Sequence, residues 1–354
     1  MAERTEYAAS IVALYHNRGE VNMTNLDVGQ RMSGARQPGD KPIRAEAIDK
    51  LAREVGIVER GWVRSDQACS DLAYPAVKRA LEMWGKDKNT IRAIEVATNL
   101  GDHLGSSTAV ILQQMLDLPE AIAGADISAG CPAFIHALRL TFGDVESEHG
   151  LGGPQICVAS ETCSKGIDPR DRTTYPLFGD GAGAVIVERV ELKPGQAKPQ
   201  FVHITKGQFL KSLYVPGGAG RDVNGKRSIV MDGKVVAEQA ITSMYQACNE
   251  VLEKAGAKLS DIDLLIPHQA NINIIYELGK KLGFPVERTV INIDRYGNTS
   301  AASIPVAMSE AYQTNRLKRG HIVLAPTFGA GLNAAVAYLP MDNLPQQESV
   351  DRWP

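Results

Sequence analysis

FGDGAGAVIVE, residues 178–188, and FGAGLNAAVAYL, residues 328–339, are two versions of one phrase. Each opens on Phe-Gly, passes through further glycine, and runs into small and β-branched apolar residues suited to a buried strand. The approach to each phrase repeats as well. IEVATN (94–99) precedes ADISAGC (125–131) in the first half, and LLIPHQAN (264–271) precedes NIDRYGNTSAAS (292–303) in the second. This order reads as two copies of one α/β unit, 1–192 and 193–354, joined through ELKPGQAKPQ (191–200). It sets Cys131 and Asn298 at corresponding places. From about Met341 the polar composition predicts a loose tail.

The remaining patterning agrees with an α/β fold. AIEVAT (93–98), QICVAS (155–160), DLLIPH (263–268) and HIVLAP (321–326) read as buried strands. Between them lie amphipathic stretches such as DLAYPAVKRALEMW, STAVILQQML and EQAITSMYQACNEVLEKAG, which predicts helices layered on a largely parallel sheet. The 354 residues, 44% hydrophobic and 22% charged, can bury a large core, and a net charge of -3 offers no nucleic acid or membrane surface a basic face. The start MAERTEYAAS lacks the apolar run of a secretory signal, and no stretch approaches the length needed to cross a bilayer. Five irregularly spaced cysteines predict neither a disulfide framework nor a zinc site, but reduced thiols in a cytoplasm.

One thiol stands apart. In GADISAGCPAFIHAL (124–138) a predicted strand turns into an apolar helix through Gly130, Cys131 and Pro132. Proline is harmless in a first helical turn and damaging further in, so Pro132 is expected to be the first helical residue and Cys131 its N-cap. The helix dipole would then favour thiolate, and Cys131 should alkylate well below the pKa of about 8.5 of a free thiol. Its backbone N–H would remain available to a developing oxyanion. Taken alone, Cys131 fits a small core residue equally well. His268 ends a predicted strand in LIPHQAN, and Asn298 lies in the turn-like YGNTSAAS before another helix. Either could be structural, but cysteine, histidine and asparagine at matching strand-to-helix edges form a candidate active site.

FGDGAGAV (178–185), HQAN (268–271) and GNTSAASIPVA (297–307), in that order, resemble β-ketoacyl-acyl-carrier-protein synthase III, a condensing-enzyme family of the thiolase superfamily. The resemblance runs from TNLD (24–27) to AVAYL (335–339). It implies a homodimeric, five-layered αβαβα thiolase fold of two pseudo-duplicated halves. It implies that Cys131 takes an acyl group from a thioester, while His268 and Asn298 hold a malonyl thioester as it loses carbon dioxide. A second oxyanion site would use the N–H groups of Cys131 and Ala330, with Phe328 beside the decarboxylation site. Phe178 and Asn271, in two of the matching motifs, would contact substrate. No cofactor or metal is implied. A thiolase would need a second catalytic cysteine where this chain has GAGLNAA, and a chain-elongating synthase a second histidine, for which only His203 and His321 are available.

Several positions depart from the family. The tryptophan and arginine that clamp coenzyme A before GIVER (56–60) align with Lys50 and Glu54, although Arg172 matches the clamp's other arginine. The acyl donor is therefore either an acyl-CoA or an acyl carrier protein thioester. The carrier-docking arginine after HQAN is Asn273 here. In HLGSSTA (103–109), Gly105, next to Leu104, replaces the phenylalanine with which a partner subunit caps the acyl pocket. A longer or bulkier acyl group, or a rearranged loop, would follow. The expected reaction is decarboxylative Claisen condensation. The alternatives are acyl transfer from Cys131 to a non-malonyl alcohol, amine or thiol, and a non-catalytic partner subunit, which the intact Cys131, His268 and Asn298 disfavour.

Overall fold

The computed structural model describes residues 6–37, 42–218 and 221–346. In chain order its strands are β1 (Tyr7–Arg18), β2 (Val21–Thr24), β3 (Glu59–Trp62), β4 (Ala93–Ala97), β5 (Ala123–Ile127), β6 (Gln155–Thr162), β7 (Asp180–Glu191), β8 (Gln200–Thr205), β9 (Leu213–Tyr214), β10 (Val230–Met231), β11 (Leu264–Leu265), β12 (Ile322–Gly329) and β13 (Asn333–Pro340). The helices are α1 (Asn25–Gly34), α2 (Ala45–Glu54), α3 (Cys69–Trp84), α4 (Thr108–Met115), α5 (Ala133–Glu146), α6 (Gly233–Ala255), α7 (Ile272–Leu282), α8 (Ile293–Tyr296) and α9 (Ser303–Gln313).

The repeated phrase in the sequence is a repeated topology. One sheet is ordered β1-β7-β6-β4-β5, the other β11-β12-β13-β8. In the first, β7 is antiparallel to β1 and β6, while β4 is parallel to β6 and β5. In the second, β13 is antiparallel to β8 and β12, and β11 is parallel to β12. A parallel bridge from Leu265 to Thr289 stands where a fifth strand would. The strand expected over 263–268 keeps only Leu264–Leu265 as ladder, yet Ile266 and His268 still donate to Leu324 and Pro326 of β12. Pro267 between them has no N–H to give.

Layering follows from which face of each strand is apolar. Along β6, Ile156 and Val158 pack outward with α3 and α4, while Cys157 and Ala159 face a central layer built from α5 and α9. Along β13, Ala335, Ala337 and Leu339 face that same layer, and Val336 and Tyr338 pack outward with α6. The stack is therefore helices, sheet, helices, sheet, helix.

The glycines of FGDGAGAV have a common cause. Gly179, Gly181 and Gly183 recur every second residue and so share one strand face. A Cβ there would lie 3.1 Å from Thr299 at Gly181 and 2.7 Å from Pro305 at Gly183, and would collide with the Tyr296 carbonyl at Gly179. The second half, from Tyr296 to α9, is laid directly on bare backbone of the first. Gly183→Val should cost roughly 1–3 kcal/mol of overpacking strain, read as a lowered urea midpoint. Gly143→Val in α5, where a Cβ meets nothing within 4 Å, is the comparison in which no overpacking is expected.

The end of the chain corrects one expectation. The tail does not loosen at Met341: Met341 and Leu344 are fully buried, and Tyr312 donates to the Pro345 carbonyl at 2.8 Å. Apolar side chains spaced three apart outweigh the polar residues around them. The rest of the expected tail, from 347, lies outside the described residues.

Candidate active site

Cys131 follows β5 through a turn that only glycine can make. Gly130 has φ +66°, and a Cβ on it would lie 2.8 Å from the Ala330 nitrogen. The reciprocal holds across the seam, where a Cβ on Gly329 would meet the Cys131 nitrogen at 2.7 Å. Two glycines, one from each half, thus bring the Cys131 and Ala330 backbones together. Ala133 N–H donates to the Gly130 carbonyl, closing a turn ahead of the helix, so α5 begins at Ala133 with Pro132 as its cap (φ −70°). Cys131 stands one residue farther out than the sequence predicts.

That displacement bears on the thiol. The dipole's influence is confined to the first turn, and Cys131 is only partly open to solvent. Burial pushes its thiol up to about 12, a bond from Ser300 opposes this, and the Glu161 carboxylate raises it further. The expected low-pKa thiolate is not what the surroundings favour. The other four cysteines are free and buried.

Asn298 is held by its backbone. Its N–H donates to Leu177 at 2.9 Å and its carbonyl accepts from Gly179 at 3.0 Å, a strand-like pairing with the segment around Phe178. Its Oδ1 accepts the Ser300 N–H at 2.8 Å, which leaves the Nδ2 group as a donor. Ser300 has φ +50°, a conformation rare outside glycine. It reaches Cys131 Sγ at 3.7 Å and Glu161 Oε1 at 3.1 Å. His268, 6% exposed, has Nδ1 2.5 Å from Ser303 Oγ, itself bonded by the Gln269 N–H. Burial lowers His268 to about 4, so the ring is neutral near pH 7. When the Ser303 hydroxyl donates to Nδ1, the ring proton sits on Nε2.

The structure thus joins Cys131, Ser300 and Asn298 in one chain of contacts, and hangs His268 from Ser303 three residues on. The other candidates have contacts of their own. Phe178 shares a core cluster with Met32, Ile48 and Trp62, while its carbonyl accepts from Trp62 Nε1. Phe328 is buried with Met244, Leu278 and Leu332. Asn271 caps α7, spending its Oδ1 on the Asn273 N–H, and the Asn273 amide donates to the Glu54 carbonyl on α2. Arg172 is exposed, as are Leu104 (88%) and Gly105.

Glu161 is the residue that sequence reading passed over. Its signal was the alternation in β6, since Cys157, Ala159 and Glu161 share the inward face and a carboxylate should not end such a row by default. It is 1% exposed and accepts from Asn99 Nδ2, the Asn99 N–H, Ser300 Oγ and the Ala301 N–H. Asn99 in turn accepts from Ser128 and Gly130 in the turn before Cys131. Burial raises Glu161 from 4.5 to about 7 despite these donors. The folded protein therefore favours the protonated acid. That contribution is fully present below about pH 4.5 and is lost as the pH rises through about 7. Glu161→Gln, permanently neutral, should exceed wild type in stability at pH 8 by up to ~3 kcal/mol. Urea unfolding at pH 5 and pH 8 checks that the advantage appears only at the higher pH.

Two stacked copies of one sheet topology sharing a central helical layer, with a thiol turned toward the seam, make this a thiolase-fold protein. Residues 125–207 match the family model for 3-oxoacyl-[acyl-carrier-protein] synthase III, and residues 252–341 match the model for its C-terminal part. The chain is 38% identical over 295 residues to β-ketoacyl-[acyl-carrier-protein] synthase III of Methylococcus capsulatus, covering 82% of this chain and 90% of the relative. The crystal structure of the Thermus thermophilus synthase III superimposes with a TM-score of 0.82 at 37% identity, covering 94% of this chain and 98% of that one. The priming β-ketosynthase of the R1128 polyketide pathway gives 0.82 at 29% identity, covering 97% and 100%. The chain belongs to the β-ketoacyl-[acyl-carrier-protein] synthase III family and is a transferase.

Proposed function

We propose that this enzyme condenses an acyl group carried on Cys131 with a malonyl thioester, releasing carbon dioxide and a β-ketoacyl thioester. The observation that carries this reading is the fixed orientation of two neutral donors. Asn298 has its oxygen occupied by Ser300, and His268 has its Nδ1 occupied by Ser303. Asn298 Nδ2 and His268 Nε2 then donate to the malonyl thioester oxygen as it gains enolate charge, a form of stabilisation worth several kcal/mol. The enolate carbon attacks the acyl-cysteine carbonyl, whose own oxyanion is taken by the N–H groups of Cys131 and Ala330. Phe328 backs this region from the core.

The acyl donor reaches Cys131 as a thioester of coenzyme A or of an acyl carrier protein, and the extender arrives on a carrier. With Lys50 and Glu54 in place of the clamp, Arg172 is the remaining candidate contact for coenzyme A. Two halves dividing at about 192 and 193 each supply part of the site. The working unit is a homodimer. β5 is an edge strand whose Ala123, Gly124 and Ala125 are exposed, with Val110, Leu140 and Leu151 exposed in the same region, so the edge is left unprotected in a single chain. In that dimer Leu104 and Gly105 would face the partner's acyl pocket.

The test is intact mass after incubation with acyl-CoAs from acetyl to dodecanoyl, followed by malonyl carrier protein. An adduct on Cys131 that malonyl carrier converts to a β-ketoacyl product supports the reading, and the best chain length reports on Gly105. An adduct that malonyl carrier leaves untouched would overturn it in favour of transfer to another acceptor. Light scattering on the same sample should give twice the chain mass.

A further inference from the structure

We propose that Glu161 is the proton acceptor for the Cys131 thiol, reached through the Ser300 hydroxyl. The inference rests on the reading of Cys131 as an acylated nucleophile and adds what the thiol needs in order to become one. Three features of the geometry carry it. Ser300 Oγ is within reach of both Cys131 Sγ and Glu161 Oε1, at 3.7 and 3.1 Å. A hydroxyl has one proton, so while Glu161 is ionised Ser300 donates to it and turns a lone pair toward the thiol. The backbone of Ser300, held at φ +50°, fixes that position.

The second feature is that Glu161 is equipped for either charge state. Four donors around a fully buried carboxylate make ionisation accessible where an unpaired buried acid would simply stay neutral. The third is Asn99, which ties the carboxylate to Gly130 and Ser128, so acceptor and nucleophile share one scaffold.

Cys131 sulfur attacks the thioester carbonyl, its proton passes to Ser300 Oγ, and the Ser300 proton passes to Glu161 Oε1. The tetrahedral intermediate collapses, breaking the bond to the donor's sulfur, and that thiolate takes a proton from solvent. Glu161 keeps the thiol's proton while the acyl group is attached, so no buried charge faces the acyl thioester. When the enolate displaces Cys131, the thiolate recovers the proton through Ser300. Glu161 and Ser300 touch the nucleophile's proton and not the substrate carbon.

The titratable groups facing Glu161 are Cys69 from α3, Cys131 at the β5–α5 turn and Cys163 after β6, with Asp180 of β7 beyond Cys163. Burial raises Asp180 to about 6, so Asp180→Asn is included to identify its inflection.

The experiment is the pH dependence of Cys131 alkylation by iodoacetamide, read site by site by mass spectrometry from pH 5 to 9.5. It uses no acyl donor, so it stands or falls separately from the condensation reading. Wild type should alkylate at Cys131 ahead of the four buried cysteines, with a rate rising through an inflection near pH 7. Glu161→Gln should slow alkylation at pH 8 by ~10²-fold and erase the inflection, leaving a rate that climbs toward alkaline pH. Ser300→Ala should give the same change of shape while leaving the carboxyl in place. A wild-type profile without an inflection between pH 6 and 8 would overturn the proposal, and this arm requires no variant to fold. So would folded variants slowed equally at every pH with the inflection kept, the behaviour of residues that only support the site.

Discussion

Cys131→Ala should abolish both acylation and condensation, with at least ~10⁴-fold loss of turnover, while the protein keeps its fold. The expectation of an intact fold follows from place rather than chemistry. Cys131 lies in a turn outside α5, partly open to solvent, and among the described residues its side chain takes part in one hydrogen bond, with Ser300 at 3.7 Å. The turn itself is made by Gly130 and Pro132, which the substitution leaves alone. No other thiol can replace it, because Cys69, Cys157, Cys163 and Cys248 are buried. Intact mass after exposure to the preferred acyl-CoA, beside a urea unfolding curve, checks both halves of the statement. Residual acylation of the variant at more than a few per cent of the wild-type rate would place the nucleophile elsewhere.

His268→Ala and Asn298→Ala should each lower condensation by ~10²–10³-fold and leave acylation of Cys131 within a few-fold of wild type. The difference between the two half-reactions is the informative part. Both side chains are neutral donors whose other polar atom is already engaged, His268 through Ser303 and Asn298 through Ser300. Neither is hydrogen-bonded to the thiol among the described residues, so neither should govern how Cys131 loses its proton. A chase experiment separates the steps: acyl-enzyme is formed first, then malonyl carrier protein is added and carbon dioxide and product are followed. Loss of acylation equal to the loss of condensation would make the pair part of the first step instead. Because His268 is held to about 4, the condensation step should show no dependence on imidazole ionisation between pH 6 and 8.

Much of this fold was legible because its causes are local and repeated. The two Phe-Gly phrases, the alternation in QICVAS and the proline after Cys131 each fix a backbone path that needs few distant partners. What escaped depended on contacts across the seam. β1 was not read from YAASIVALYHNR, although its pairing with β7 forms one edge of the first sheet. The glycines at 179, 181 and 183 were recognisable as a motif, but their cause is the Tyr296–Pro305 segment packed on them. Phe178 was marked only by its motif, and the bridge from its backbone to Asn298 and its place in the core around Trp62 needed the fold. The surroundings of the thiol escaped for a related reason. A helix start is visible in sequence, whereas the desolvation around Cys131 and the nearby Glu161 carboxylate come from the folded whole.

The facing pairs Gly130–Ala330 and Gly329–Cys131 have a consequence for the life of the chain before it is finished. Cys131 is synthesised early, and Ser300, Asn298, His268 and Ala330 come off the ribosome later. On the proposed mechanism, a chain released before its second half would carry a thiol with no Ser300 to pass its proton and no donors for an enolate. It would be disarmed until the second half closed over the first, and a half-made chain would not sequester activated acyl groups.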